Sequence, residues 1–479
     1  MNTYSRIALL LFLVAASTLA ALAYAQYAGQ GYLYLCFTIV SNGLLLMGFR
    51  KKAMFFDAFI GVFLWLGFWA KLSIRTAFAN GLYHEPTGAF DGSGAALDHA
   101  LLVSCCGMLG LILASLLRER FFCYPEQPAD LRETGLYWFY QRKRRIVLSG
   151  FFLLVVVVAL SNAFFGFYQR GTITATVLPY RLNGVYAWLV QFGLASGSAL
   201  IIRFEIELAR SLTWVAVLTP LVEGFFSNVS LLSRGMVLNF SALIYGTGKV
   251  LSRGKKKLKP AMVAVTAGLF VVMFSASVLA VNFMRTPEFQ NLPRSWRGGP
   301  EEVDWNVAGE NLKGATAPLF IDRWVGIEGV LAVSSYPKLG PELWHEAWAE
   351  RYSEHATSYY DMNLIESPYA RLDKNKHHYV SMPGVIAFFY YPGSYVVLFG
   401  CLFALGLFAA LLEAISFWLG GANLVLCSLM AQVIAYRYTS FGYVPAQSYL
   451  LFGSLILNLV MIYCANLLLM RVKARASQT

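Results

Sequence analysis

Four arginines stand near the ends of apolar runs or in the polar segment that interrupts them: Arg75, Arg234, Arg323 and Arg437. A guanidinium at the edge of lipid is costly, and marks either a snorkelling anchor or a functional group. Its rigid five-donor fork fits phosphate oxygens and stays charged at any working pH. Separate anchoring to headgroups is one reading and convergence on a shared anion is the other. The close-packed contexts SRG (233–235) and DRW (322–324) favour convergence of at least two. Arg323 belongs to the stretch FIDRWVGIEGVLAVSSYP (320–337), which also holds Asp322, Trp324 and Glu328. Gly326 and Gly329 flank Glu328, so a ligand or another backbone can approach it closely. Partial burial would suit this carboxylate to deprotonate a hydroxyl. An ion pair with Arg323 is the competing expectation.

The histidines are His84, His99, His345, His355, His377 and His378, all expected on the same outer side. None has the HExxH spacing of a zinc site, and adjacent His377 and His378 point their rings apart on most backbones, so no metal is expected. His355 and His378 stand behind Glu328 as proton acceptors, or as hydrogen-bond partners for a sugar. The glycine-rich turn LYHEPTGAFDGSGAALDHA (82–100) holds Glu85, Asp91 and Asp98. It reads either as a source of sugar-binding carboxylates, Asp91 foremost, or as a solvated turn. Trp324, Trp348 and Tyr360 are the aromatic residues expected to stack on sugar rings, with headgroup anchoring as the alternative.

The elements that must position these groups are apolar helices. The chain has 479 residues, 58% hydrophobic and 13% charged, and a mean hydropathy of +0.56. Soluble domains carry about 25% charged residues, so the fold class expected is an all-α polytopic membrane protein. About 20 apolar residues cross a hydrocarbon core. Twelve runs meet that length, at 7–25, 31–49, 54–72, 99–117, 146–167, 184–202, 208–226, 231–247, 261–283, 390–415, 421–437 and 446–470. The eighth is the weakest, being interrupted by Arg234 and Asn239. The first, ending in ALAYAQ, reads as a plain helix or as a signal peptide with a small-residue cleavage site, and the helix is preferred. The expected division is a bundle of nine helices over 1–283, a large polar loop over 284–389, and three helices over 390–479.

Basic residues set the orientation. Arg50, Lys51, Lys52, RKRR (142–145), KKKLK (255–259) and the terminal Arg6, Arg471, Lys473 and Arg475 fall on one side if the spans alternate. Both termini are then cytoplasmic and the large loop is outside. The net charge of +12 follows from this asymmetry and from attraction to anionic lipid. Its scatter over separate turns excludes a nucleic-acid partner. The large loop has no cysteine, hence no disulfide and no thiolate metal set. Within it, Asp322 is expected to cap a helix RWVGIEGVLAVSSY. Gly340 and Pro341 start a second, ELWHEAWAERYSEHATSYYDM, with Trp344, Trp348, Arg351 and His355 on one face against the outer leaflet.

Twelve spans, cytoplasmic ends, a large loop between spans nine and ten, the SRG opening span eight and an arginine-bearing loop helix together resemble the Wzy-type polysaccharide polymerases and the related O-antigen ligases. The resemblance covers the whole topology and rests on short motifs. It implies an integral-membrane glycosyltransferase of the C type in the bacterial inner membrane, with the loop in the periplasm. It further implies transfer of a glycan from undecaprenyl pyrophosphate to an acceptor hydroxyl, which is a lipid-linked repeat unit for polymerases and lipid A–core for ligases. The family's phosphate-binding arginines would map onto Arg234 and Arg323, with Arg437 and Arg75 as further contacts; its loop histidine has no secure counterpart. A lipid-linked oligosaccharide, the bilayer and a chain-length regulator protein are the partners this implies.

The chemistry expected is a single inverting displacement without cofactor or metal. Fixed guanidinium groups would stabilise the departing pyrophosphate, where one such contact is typically worth about 3–4 kcal/mol. A lipid-linked oligosaccharide flippase is the rival without chemistry; it would place its cations in a central cavity within the spans. A mannosyltransferase using polyprenyl monophosphate would need an acidic motif in the first external loop, which here is only AQYAGQ.

Overall fold

In the computed structural model the described residues are 3–83, 85–125, 131, 133–233, 235–254, 260–289, 321–367 and 378–476. Their regular structure is helical. Helices α1 (Thr3–Gln26) and α2 (Gly31–Met47) form the first hairpin. The third runs as α3 (Phe55–Leu64), a π turn (Trp65–Ala70) and α4 (Lys71–Phe78). Then come α5 (Gly94–Arg118), α6 (Gly135–Phe165), α7 (Asn183–Trp188) leading through a second π turn into α8 (Leu194–Ala209), α9 (Trp214–Ser230), α10 (Met236–Arg253) and α11 (Pro260–Phe289). Four short helices follow: α12 (Ile327–Ser334), α13 (Pro341–Ala349), α14 (Tyr359–Asn363) and α15 (Val385–Phe389). Helices α16 (Tyr395–Leu419), α17 (Leu424–Thr439) and α18 (Ser448–Ala476) complete the chain.

Seven described helical segments are long and apolar enough to cross a membrane: Phe55–Phe78, Gly94–Arg118, Gly135–Phe165, Pro179–Ala209, Pro260–Val281, Tyr395–Leu419 and Pro445–Ala476. Helices also occupy the remaining five expected segments, as α1, α2, α9, α10 and α17. Broad apolar surface stays uncovered on α6, α11 and α18, for example Phe164, Val272 and Tyr449. Surface of that kind fits lipid, and the protein is membrane-embedded.

The bundle is pinned at one end by buried polar groups. Glu413 of α16 accepts from the backbone N–H of Phe55 and Phe56 at 2.7 and 2.8 Å, so a side chain from a distant helix caps α3. Tyr124 donates to the same carboxylate. Asp57, one turn into α3, holds Arg118 at the end of α5. Glu205 gathers Tyr140 (2.6 Å), Arg144 (2.6 and 3.0 Å) and Thr213 (3.0 Å), joining α6 to the turn between α8 and α9. Close helix packing comes from small residues: a side chain at Gly110 would meet Phe399 O at 2.8 Å, and one at Gly406 would meet Ala114 Cβ at 2.6 Å, so α5 and α16 lie nearly in backbone contact.

The described part of the large loop packs into the bundle. All eight residues of α12 are buried, and so are all five of α15. Helix α12 packs against α5, α15 and the π turn. The two helices are driven in by their composition: IEGVLAVS and VIAFF have one charged residue between them. The expected capping by Asp322 does not occur. Helix α12 begins after Gly326, and Asp322 is engaged elsewhere. The second expected helix also stops early, at Ala349. Arg351 and His355 therefore do not share its face. Trp344 and Trp348 point inward, onto Phe389 and, for Trp348, also onto Phe388 and Phe441.

Candidate functional site

The site is built where α12 meets the break in the third helix. A π turn inserts one extra residue per turn and re-aims the side chains beyond it. Here it brings backbone to backbone. A Cβ on Gly326 would lie 1.9 Å from Gly67 O, and one on Gly329 would lie 1.9 Å from Pro383 O. The glycines flanking Glu328 thus admit two neighbouring main chains, one from each side. Lys71, the first residue after the turn, is 1% exposed. Its ammonium donates to Asp322 O (3.1 Å) and Trp324 O (2.5 Å) and lies 2.8 Å from Glu328 Oε1. Glu328 is itself 5% exposed. Its partner is Lys71, where the sequence suggested Arg323. One turn further along α4, Arg75 pairs with the Asp322 carboxylate. An ammonium and a guanidinium from α4 therefore hold the segment 322–328 in place.

Beside this pair the turn after α4 supplies Tyr83 and Glu85. The Tyr83 hydroxyl and Glu85 Oε2 are buried without a hydrogen-bond partner. Burial first, and the charge of Glu328 second, raise the Glu85 carboxyl from 4.5 to about 7. Asp361 completes the group from α14. Its Oδ2 accepts from the Ser358 hydroxyl (2.7 Å) and from Ser381 N (2.9 Å), while Oδ1 has no partner. Burial raises its carboxyl too.

Arg323 opens the other half of the site. It is exposed, and acts on the hydroxyl of Tyr436 together with Arg170, whose side chain approaches that hydroxyl at hydrogen-bonding range. Phe63 connects the halves: its ring stacks on Trp324 at 5.6 Å and meets the Tyr436 ring edge-on at 6.3 Å. Arg437 follows Tyr436 in the chain. It donates to Tyr443 O (3.3 Å) and Ser448 Oγ (3.0 Å) and lies over the Phe441 ring. The Tyr443 hydroxyl reaches His378 Nε2 at 3.1 Å. Burial lowers the His378 imidazolium below its usual range, with exposed His355 adding repulsion. The turn carrying Arg170 is fastened over this region by Thr174 to Glu354 (2.8 Å) and His378 N to Gly171 O (3.2 Å).

The structure therefore brings Arg323, Arg437 and His378 to one end of the bundle, along with Arg75 and Glu328 in the paired cluster. Arg234, His84 and His377 lie outside the described residues. Asp91 is exposed and accepts from Ser93 N at 2.9 Å, in the turn before α5. Tyr360 is 3% exposed, Trp324 stacks on Phe63, and Trp348 is ringed by phenylalanines. Among the described residues, no group of three His, Cys, Asp or Glu side chains has metal-binding geometry. Sequence reasoning passed over Lys71, Arg170 and Tyr436 as site residues, and offered Glu85 only as a sugar-binding carboxylate. An ammonium in the apolar context FWAKLS was the readable signal for Lys71; for Arg170 it was a basic residue in the short turn between two apolar runs. Comparison of the chain with protein-family models, curated proteins and solved structures finds no match.

Two guanidinium groups whose charges both act on one phenol offer an anion a place of positive potential. Their mutual repulsion falls when a phosphate oxygen comes between them, and each presents a planar fork to it. The adjoining cluster offers carboxyl oxygens without partners, able to accept hydroxyl protons.

Proposed function

We propose that the chain is a polysaccharide polymerase, a membrane glycosyltransferase that moves a glycan from undecaprenyl pyrophosphate to a hydroxyl of a lipid-linked repeat unit. On this reading it crosses the bacterial inner membrane twelve times with both ends in the cytosol. Arg170, Arg323 and Arg437 then face the periplasm. The observation that carries the reading is that the charges of Arg170 and Arg323 both act on Tyr436, whose ring is joined through Phe63 to Trp324 at the entrance to the buried helix α12. Guanidinium groups fixed there would neutralise the pyrophosphate as it departs, without a metal. We assign Arg75 and Glu328 to positioning rather than to phosphate binding and proton transfer. Arg75 is paired with Asp322, and Glu328 is enclosed beside Lys71. His378 and His355 flank the arginines and suit hydrogen bonding to the glycan.

The test is genetic. Cells lacking the chromosomal copy would carry R170A or R323A, and surface polysaccharide would be run on a gel. Loss of the ladder with retention of a single capped unit supports a polymerase. Loss of all capped lipid A–core indicates a ligase acting by the same chemistry. A full ladder from both variants, expressed at normal levels, refutes the assignment.

A further inference from the structure

The sequence offered Glu328, His355 and His378 as proton acceptors, and the geometry points to a different residue. Glu85 lies in the turn between α4 and α5. That turn is seated by Gly88, whose φ is +58° and where a Cβ would meet Leu364 O at 2.4 Å. A side chain there would lift the turn off the end of α14. Seated so, Glu85 lies in the field of Glu328, Lys71, Asp361 and Asp322. Tyr83 precedes it in the turn under the influence of Arg75 and Glu328, and Tyr360 lies within its field.

Three oxygens in this group are buried and unpartnered: Glu85 Oε2, the Tyr83 hydroxyl and Asp361 Oδ1. Asp361 is 0% exposed. Buried polar atoms are nearly always satisfied, so a cluster of orphans marks a place where water or a ligand supplies the missing donors. A sugar brings several hydroxyls and fits that need. The cluster is chained to the anion site, because Asp322, held by Arg75, acts electrostatically on Glu85, while its chain neighbour Arg323 acts on Tyr436.

We propose that Glu85 is the proton acceptor of the glycosyl transfer, and that the Lys71–Glu328 pair is the positioning device behind it. The inference rests on the polymerase reading above. In the step, the acceptor oxygen bonds to the anomeric carbon as the carbon–oxygen bond to pyrophosphate breaks. The bonding pair leaves with the pyrophosphate, toward Arg170 and Arg323. The hydroxyl proton passes to Glu85 and is later lost to water.

The experiment compares wild type, E85Q and E85D in the deletion strain, and also in purified chain held in lipid nanodiscs. General-base loss typically costs about 100-fold or more. E85Q is expected to accumulate single lipid-linked units and to form at least about 100-fold less polymer, with partial recovery in E85D. Wild-type polymer formation should rise as the medium passes from pH 6 to pH 8; that of E85Q should stay low and flat. Infrared titration of the purified wild type should show a protonated carboxyl band that disappears around neutral pH and is missing from E85Q. A normal ladder from E85Q overturns the inference and leaves the polymerase reading standing. A normal ladder from the deletion strain itself overturns both. Should E85Q fail to reach the membrane, E85D alone decides: an unchanged rate and pH profile in a variant with a shorter reach overturns the inference.

Discussion

At the residue scale, the buried charges are held by partners, and removing one partner is worse than removing both. Lys71 is the clearest case, since its ammonium serves Glu328 and two carbonyl oxygens at once. K71M strands the Glu328 carboxylate, and a broken buried pair typically costs about 3–5 kcal/mol. We expect a large drop in the melting temperature of the detergent-solubilised protein, and recovery of most of it in K71M/E328L. An unchanged melting temperature in K71M would show the pair to be dispensable. Glu85 gives a pH signature of the opposite kind. Its carboxyl binds a proton more tightly in the folded chain, moving from 4.5 to about 7. The folded state therefore loses stability as pH rises through that window, where the unfolded chain has already released the proton. E85Q should accordingly raise the melting temperature more at pH 8 than at pH 5; equal effects at both would contradict the burial of this group. These details were only partly legible in the sequence. Asp322 and Glu328 stand out in an apolar stretch, but their partners, Arg75 and Lys71, come from α4, about 250 residues away, and no local spacing encodes that meeting.

At the element scale, the insertion of α12 and α15 into the bundle is the feature that shapes the site. Non-helical backbone at membrane depth survives only where protein surrounds it, and the glycine contacts supply that enclosure. G326A and G329A would each force a Cβ to 1.9 Å from a carbonyl oxygen of another segment, Gly67 or Pro383. Neither neighbour is a flexible side chain end, so we expect each variant to lower the folded yield in membranes and to abolish polymer formation. G340A is the control, because a Cβ there meets nothing within 4 Å. Normal yield from G326A would mean that the close approach is relaxed in solution. The sequence marked a helix at this point, though its capping by Asp322 does not occur, and the outer-leaflet face expected for the next helix turns its tryptophans inward instead. Glycines next to a carboxylate were readable as sites of close approach; that two main chains, and not a ligand, make the approach follows only from the tertiary packing.

At the scale of the whole molecule, the apolar runs were the most legible part of the sequence, since length and hydropathy alone locate helices that must face lipid. Their pairing was not legible: the contact of α5 with α16 depends on small residues whose partners lie far away in the chain. The proposed topology makes a labelling prediction. In a background without other cysteines, D91C and K338C, both at exposed positions, should react in intact cells with a maleimide that cannot cross the membrane, and the native exposed Cys123 should react only after the membrane is opened. The reverse pattern would invert the molecule and place the arginines in the cytosol. The central claim is that Arg170 and Arg323 together receive a pyrophosphate, and calorimetric titration of inorganic pyrophosphate into the purified chain in nanodiscs tests it most directly. The account predicts binding by the wild type, weakened at least about 100-fold in R170A/R323A, in line with losing two charge-assisted contacts of about 1.5–3 kcal/mol each. It predicts no change in R181A, whose arginine lies in the turn before α7 and is not among the charges acting on Tyr436. Equal affinity in the double variant, or no binding by the wild type, would contradict it.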